Sequence, residues 1–325
     1  MNKNKFIFAQ DNGHGMDKFA FRDPNNLEKI IYGKVISAFA EAPADTEDMP
    51  FFEGKKYYVG DIALMEDSSK IITIEDYKNL EFFAPLSLWN VWNEKEINPE
   101  SIDCLAIGLS LAQKQHAKDF IKRLSKFKIN NKVYNFQNKI VLVPQGIGAK
   151  YAIDHYYYNG SNTETYAVID IGQLTVDIAT VFNGKVRKEN AAGTANEGII
   201  KIIRELKEYI TVEIGEAISL KEAQNALIKK EIFLYGKKIN LSKKIEELSE
   251  AYTKYIFSLL EDRNKNIFKK FSKIYFVGGG AYYIDTKIGA DKIGLNKEML
   301  VIPEKPGPEF FNAIGYLLLA EEKCK

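Results

Sequence analysis

Two short stretches of this 325-residue chain have the residue types and spacing to grip a phosphate. The first reads Asp11-Asn12-Gly13-His14-Gly15-Met16-Asp17-Lys18, and the second Asp170-Ile171-Gly172-Gln173-Leu174-Thr175-Val176-Asp177. Each has an Asp, a Gly two positions on and a charged residue seven positions on, Lys18 and Asp177. Main-chain N–H groups can approach a phosphate only where no Cβ obstructs the turn, which gives Gly13, Gly15 and Gly172 their use. Asp11 and Asp170 suit Mg²⁺, an ion that keeps most of its waters, so both would hold it through water. Lys18 can neutralise a β- or γ-phosphate as a point charge, and Thr175 can donate a hydroxyl hydrogen bond. One Asp-x-Gly turn carries little information, because such turns end strands everywhere. The second stretch, however, begins 159 positions after the first, and a repeat at half the chain implies two like domains facing each other.

The elements around these stretches are legible in outline. Residues 6–9 read as a strand, followed by a Gly-rich turn and a second strand at 18–22. Further strands are expected at 30–42 and 57–64, with a hairpin turn at Glu53-Gly54-Lys55 and an exposed loop at 41–50. Residues 102–109 read as a buried strand, 112–124 as a helix, 133–136 and 139–143 as strands, and 147–157 as a helix. The polar segment 158–165 is the internal boundary. After it the opening pattern returns: a strand at 166–169, a turn, a strand at 175–182, then Asn183-Gly184, a strong short hairpin signal. Ser219 with Glu222 three residues later begins a capped helix to about residue 229. Residues 242–271 carry the 3.6-residue apolar period of one long helix. A strand at 274–277 runs into Gly278-Gly279-Gly280, and a last helix covers 309–321. The organisation expected is one α/β domain over 1–165, a second over 166–308, and a C-terminal segment 309–325 returning to the first.

Composition removes several classes. The 45 Lys and Arg residues balance 44 Asp and Glu, so direct DNA binding is not expected. Cys104 and Cys324, far apart in sequence, fit a reduced cytosolic protein better than a disulfide framework, and three histidines offer no zinc spacing. No apolar run reaches the ~18–20 residues that span a bilayer, and residues 1–5 do not open a signal peptide, so a soluble intracellular protein without a membrane partner is expected. There is no Gly-x-x-x-x-Gly-Lys-Ser/Thr sequence, and the triple glycine lacks the dinucleotide-binding spacing. Residues 11–15 half-match a calcium loop but lack its further carboxylates and closing Glu.

With these residues in view, the chain resembles the actin superfamily. The two Asp-x-Gly octets are similar to its first and second phosphate motifs. Val277-Gly278-Gly279-Gly280-Ala281 resembles its adenosine motif, Val143-Pro144-Gln145-Gly146 its first connecting segment and Asn312-Ala313-Ile314-Gly315-Tyr316 its second. Within the superfamily the likeness leans to the ParM/StbA group of plasmid-partition actins and related archaeal proteins, through 144–149, Tyr58-Val59-Gly60 and Ile107-Gly108-Leu109. The resemblance implies an actin-like fold, with two RNase H-like domains around a nucleotide cleft, each carrying a smaller subdomain. It also implies a cytoplasmic, prokaryotic ATPase or GTPase using Mg²⁺, which forms filaments and moves plasmid DNA through a DNA-binding adaptor protein.

The resemblance assigns nucleotide contacts to Asp11, Asn12, Gly13, His14, Gly15, Met16, Lys18, Asp170, Gly172, Gln173, Thr175, Asp177, Gly278, Gly279, Gly280 and Ala281. Gln145, with Asp11 and Asp170, is the catalytic candidate: it would position the attacking water, its alternative being an ordinary turn residue after Pro144. Gly193 and Glu197 are read as opening a helix whose N-terminus either touches ribose or phosphate or is an ordinary helix start. Glu222 either reaches the ribose or serves the capping box. At His14 the family usually has Ser or Thr; an imidazole either donates to the γ-phosphate or swings out and leaves its backbone N–H. The rival readings are a cell-shape actin and a monomeric kinase or chaperone-like ATPase, although no motif places a kinase's catalytic Asp. Phe51-Phe52 and Phe82-Phe83 are either contact surface or core.

Overall fold

A computed structural model describes residues 5–324 except 68, 73, 75, 162, 188–190 and 264–266. Residues 1–4, 162, 264–266 and 325, which fall within the segments 1–5, 158–165, 242–271 and 309–325 read above, therefore lie outside the described residues. In chain order the first half contributes β1 (Ile7–Asp11), β2 (Met16–Asp23), β3 (Asn26–Ile36), β4 (Phe39–Ala42), β5 (Phe51–Phe52), β6 (Lys55–Val59), β7 (Ile71–Ile72), α1 (Tyr77–Glu94), β8 (Cys104–Leu109), α2 (Ala117–Ser125), β9 (Lys126–Ile129), β10 (Lys132–Asn135), β11 (Ile140–Pro144) and α3 (Ile147–Tyr157). The second half contributes β12 (Tyr166–Ile171), β13 (Thr175–Phe182), β14 (Lys185–Val186), β15 (Ala192–Ala195), α4 (Ile200–Tyr209), α5 (Leu220–Lys229), β16 (Glu231–Leu234), β17 (Lys237–Asn240), α6 (Ser242–Arg263), α7 (Ile267–Lys270), β18 (Ile274–Val277), α8 (Thr286–Ile293), β19 (Leu300–Val301) and α9 (Phe311–Lys323).

Two sheets dominate, ordered β11-β8-β1-β2-β3 and β14-β13-β12-β18-β19. In each, an Asp-ending strand sits between an antiparallel hairpin partner and a parallel neighbour: β1 between β2 and β8, β12 between β13 and β18. The half-chain repeat is thus a repeat of topology. β1, β8, β12 and β18 are buried along their whole length, as central strands covered on both faces must be, and their sequences are accordingly apolar runs rather than alternations. A smaller sheet, β5-β6-β4-β7, rides on the first half, and the hairpin β16–β17 on the second.

The helices α3 and α9 lie in a core that both sheets share. Ala149, Ala152 and Ile153 of α3 and Ala313, Ile314 and Leu317 of α9 pack with Ala9 and Ala106 of one sheet and Val168, Ala179 and Val277 of the other. Small residues make the approach possible. A Cβ on Gly315 would overlap the Gly148 carbonyl, and the Tyr316 ring occupies the space that side chains at Gly108 and Gly148 would need.

Several expected elements change. The strand read at 30–42 is broken into β3 and β4, and the one at 57–64 ends at Val59, before Gly60 at φ +66°. The helix read over 242–271 is helical over Ser242–Arg263 and Ile267–Lys270, and residues 264–266 between them lie outside the described residues. Gly193 begins no helix: it lies in β15, paired to the edge of β13, and α4 starts only at Ile200. Phe52 and Phe83 are core residues, while Phe51 is exposed. Cys104 and Cys324 are joined in a disulfide across a sequence separation of 220, against the expectation of free thiols. The fold causes this, since α9 packs on β8 and ends over its first residue. Among the described residues no helix is long and apolar enough to cross a membrane.

Candidate functional site

Between the two sheets opens a cleft of about 930 Å³, lined from both halves. Asp11 enters it from the end of β1 and Asp170 from β12. The Asp11 carboxylate is held by two donors: Gln145 Nε2 at 2.8 Å and the Tyr316 hydroxyl at 3.3 Å, both to Oδ1. Lys18, cross-strand from Asp11, places its Nζ 4.0 Å from Oδ2. On the other wall Asn312 Nδ2 donates to Asp170 Oδ2 at 2.6 Å, and Asn312 Oδ1 accepts from the Gly146 N–H at 3.0 Å. Gly146 can stand there because it adopts φ +74°, turning the chain from β11 into α3.

Burial sets the electrostatics. It pushes the Asp170 carboxyl up to about 6, helped by the nearby charge of Asp11 and opposed by the Asn312 hydrogen bond. Behind it, burial and the charge of Asp170 push Asp177 up to about 8. Asp177 does not line the cleft; it joins the halves, accepting from Ser110 Oγ at 2.9 Å, from Leu111 N–H at 3.0 Å and from Thr175 Oγ1 at 3.2 Å. His14 lines the cleft with its Nε2 buried and unpartnered. Burial, reinforced by the Lys18 charge and opposed by Asp76, pulls its imidazole down to about 4, so near neutral pH it is uncharged.

The glycine run forms the floor. A Cβ on Gly278 would overlap the Asp170 carboxylate, and one on Gly280 would overlap Ile171, so this backbone lies flat against the second hairpin. The roof is α5, where Gln224 Nε2 donates to Gln173 Oε1 at 2.9 Å. The donor set fits a hydrated divalent cation with an anionic ligand: two carboxylates and an ammonium converge in the cleft. Among the described residues no group of three or more His, Cys, Asp or Glu side chains is placed to hold a metal ion.

A family model for archaeal actin homologues of the MreB-like type, C-terminal part, matches residues 168–290. No curated protein matches the chain by sequence. Among solved structures, the archaeal actin homologue Ta0583 superposes with a TM-score of 0.75 at 21% identity, covering 98% of this chain and 99% of that one. Its complex with ADP gives 0.72 at 19% identity, with 98% and 99% covered. A 15-stranded ParM filament from Clostridium botulinum gives 0.70 at 19% identity, with 98% and 100% covered. ParM of Bacillus thuringiensis with AMPPNP gives 0.61 at 16% identity, with 99% and 100% covered. The chain has the actin-like fold.

Within this actin-like fold, the cleft gathers Asp11, Gly13, His14, Gly15, Met16, Lys18, Gln145, Asp170, Gly172, Gln173, Thr175, Gly278, Gly279 and Gly280. Six other candidates stand off its walls. Asn12 is buried behind the first hairpin, its Nδ2 donating to Ser87 Oγ at 3.0 Å. Asp177 and Gly193 lie at the junction of the halves, where a Cβ on Gly193 would overlap Asp177 and the Ala112 nitrogen. Glu197 is occupied by the Tyr255 hydroxyl and by Lys201, whose Nζ is 3.1 Å away. Glu222 completes the capping box, its carboxylate accepting from Ser219 N–H at 2.7 Å. Ala281 is buried beneath the glycine run. The sequence reading did not single out Asn312 as a site residue, nor Gln224, Lys34, Glu309 or Tyr282, which also line the cleft. Gln224 had a signal, being a polar residue on the apolar face of α5, and Asn312 opens the segment that resembles the second connecting motif; Lys34, Glu309 and Tyr282 had none.

Proposed function

We propose that this chain is a nucleoside triphosphatase that binds ATP or GTP with Mg²⁺ in the cleft and assembles with its own copies into filaments. The observation carrying the reading is the convergence of Asp11 and Asp170, from two topologically equivalent hairpins, in one cleft with Gln145 on Asp11. Mg²⁺, when bound, would neutralise charge on the β- and γ-phosphates. The protein's own part is positioning. Asp11 and Asp170 would hold the ion through its waters, Lys18 would meet phosphate charge, and the N–H groups of the hairpin turns can approach where glycine leaves room. Gln145, anchored through Nε2, presents Oε1 as the acceptor that orients an attacking water.

Filament formation is supported by the likeness to a ParM that forms one, and nucleotide use by the ADP and AMPPNP complexes of other neighbours. We extend the reading to a cytoplasmic role in segregating plasmid DNA through an adaptor, which the balanced charge favours over direct DNA contact. The two domains would be 1–165 with 309–325, and 166–308.

Light scattering after addition of ATP–Mg²⁺ or GTP–Mg²⁺, with phosphate release measured in parallel, tests it. Scattering and release together support the reading. Release without assembly at any protein concentration leaves a monomeric ATPase, and neither signal removes the proposal. Gln145→Ala should slow release on the order of a hundredfold, as loss of a water-orienting group does, with nucleotide affinity retained; normal turnover would end that assignment.

A further inference from the structure

Where α5 meets the first hairpin, two buried charges lie off the cleft walls, and the phosphate site does not use them. Asp17, in β2, is 1% exposed, and neither of its carboxylate oxygens has a hydrogen-bond partner. Burial pushes its carboxyl up to about 7. The Ser87 hydroxyl, the Lys18 ammonium and the Ser37 hydroxyl stand near enough to favour the charge, and Asp11 opposes it. Lys221, in the first turn of α5, is 7% exposed. Burial pulls its ammonium down to about 8, and the charge of Asp17 resists that fall. The two do not form an ion pair. Lys221 Nζ instead donates to Gln224 Oε1 at a long 3.3 Å.

The helix that carries Lys221 already rests on the hairpin that carries Asp17. A Cβ on Gly15 would overlap both Gln224 Nε2 and Gln173 Oε1, so the backbone of the first hairpin lies directly against the Gln224 side chain of α5. A buried carboxylate held only loosely, by the Ser87 and Ser37 hydroxyls, is unfavourable, and a nearby ammonium is the natural counter-charge. We propose that Asp17 and Lys221 form a clasp between the halves: the Lys221 ammonium swings from Gln224 to the Asp17 carboxylate and locks α5 onto the first hairpin. Occupancy of the cleft strengthens the clasp. Lys18 stands near both Asp11 and Asp17; an anionic phosphate draws it away and leaves Lys221 as the counter-charge of Asp17. By linkage, a closed clasp slows departure of the ligand.

The test has two arms. Hydrogen–deuterium exchange across α5 reads the clasp in the free protein and does not depend on the function proposed above. Release of a fluorescent ATP analogue with Mg²⁺ reads its effect on the site and rests on that reading. Asp17→Asn and Lys221→Met should each speed α5 exchange and analogue release, on the order of tenfold for release if the coupling is of ordinary allosteric size. The double variant should be no worse than the worse single, and Lys221→Arg should restore protection even if Asp17→Asn fails to fold. Unchanged α5 exchange in Lys221→Met, or single effects that multiply in the double variant, would overturn the clasp. If the wild-type protein binds neither ATP nor GTP, the proposed function falls, and the exchange arm alone decides the clasp.

Discussion

Asn312 donates to Asp170 at 2.6 Å while the same side chain accepts from the backbone of Gly146, so one residue of α9 holds a cleft carboxylate and the turn into α3 together. Replacing Asn312 by Ala removes both bonds and leaves Asp170 buried without its donor. Hydrogen bonds to charged groups are worth about 1.5–3 kcal/mol, so thermal or urea unfolding should show a loss of that order. Asp170 should also ionise at higher pH than its present value of about 6, because the lost bond opposes the burial that raises it. The expected readout is a fall in Mg²⁺-dependent nucleotide affinity that steepens below neutral pH. Unchanged stability and affinity would show that the bond contributes nothing.

The buried carboxylates make a second prediction, for the free protein. Asp177 and Asp17 are raised from 3.8 to about 8 and about 7. The folded state therefore holds protons that the unfolded state has released, and stability falls as pH rises from the unfolded value up to the folded ones. His14, lowered to about 4 from 6.5, acts oppositely below pH 6.5, and Lys221, lowered to about 8 from 10.5, acts oppositely above pH 8. Between pH 6.5 and 8 the carboxylates dominate. Stability should fall across that window, by at most about 1.4 kcal/mol per pH unit for each group, and the melting temperature should fall with it. Asp177→Asn should flatten the slope; a profile that rises there would contradict the assignment.

How much of this was legible depended on whether the physics was local. The two hairpins, the α3 helix at 147–157 and the capped α5 helix were readable because turn glycines, periodicity and a capping box announce themselves within a few residues. Helix α1 was not. Its buried residues include Leu80, Phe83, Ala84, Leu86, Leu88, Val91 and Trp92, which leave no polar face to reveal a period, and Pro85 sits inside it. The site divided the same way. Asp11 and Asp170 were marked by their own turns, whereas Asn312 works through Asp170, 142 positions away. Gly193 was misread because a lone glycine looks alike at a helix start and in an edge strand. What it does depends on Leu111 and Ala112 of the other half. The Cys104–Cys324 bond likewise depends on α9 folding back onto β8.

That difference between local and distant causes yields a last, paired prediction for Gly193 and Gly15. A Cβ on Gly193 would overlap Asp177 and the Ala112 nitrogen, with the Leu111 carbonyl carbon at 2.9 Å. Backbone cannot move aside cheaply, and the shift would strain the Asp177 bonds to Ser110 and Leu111 that join the halves. Gly193→Ala should therefore destabilise the fold by about 1–3 kcal/mol, the ordinary cost of overpacking. A Cβ on Gly15 meets only the ends of two flexible amides, Gln224 and Gln173. Gly15→Ala should leave the melting temperature nearly unchanged, yet part those amides and push α5 off the first hairpin, so that bound nucleotide leaves faster. Melting curves and release kinetics on both variants separate the two roles. If Gly15→Ala melts as low as Gly193→Ala, the first hairpin is a structural joint rather than the closing edge of the cleft.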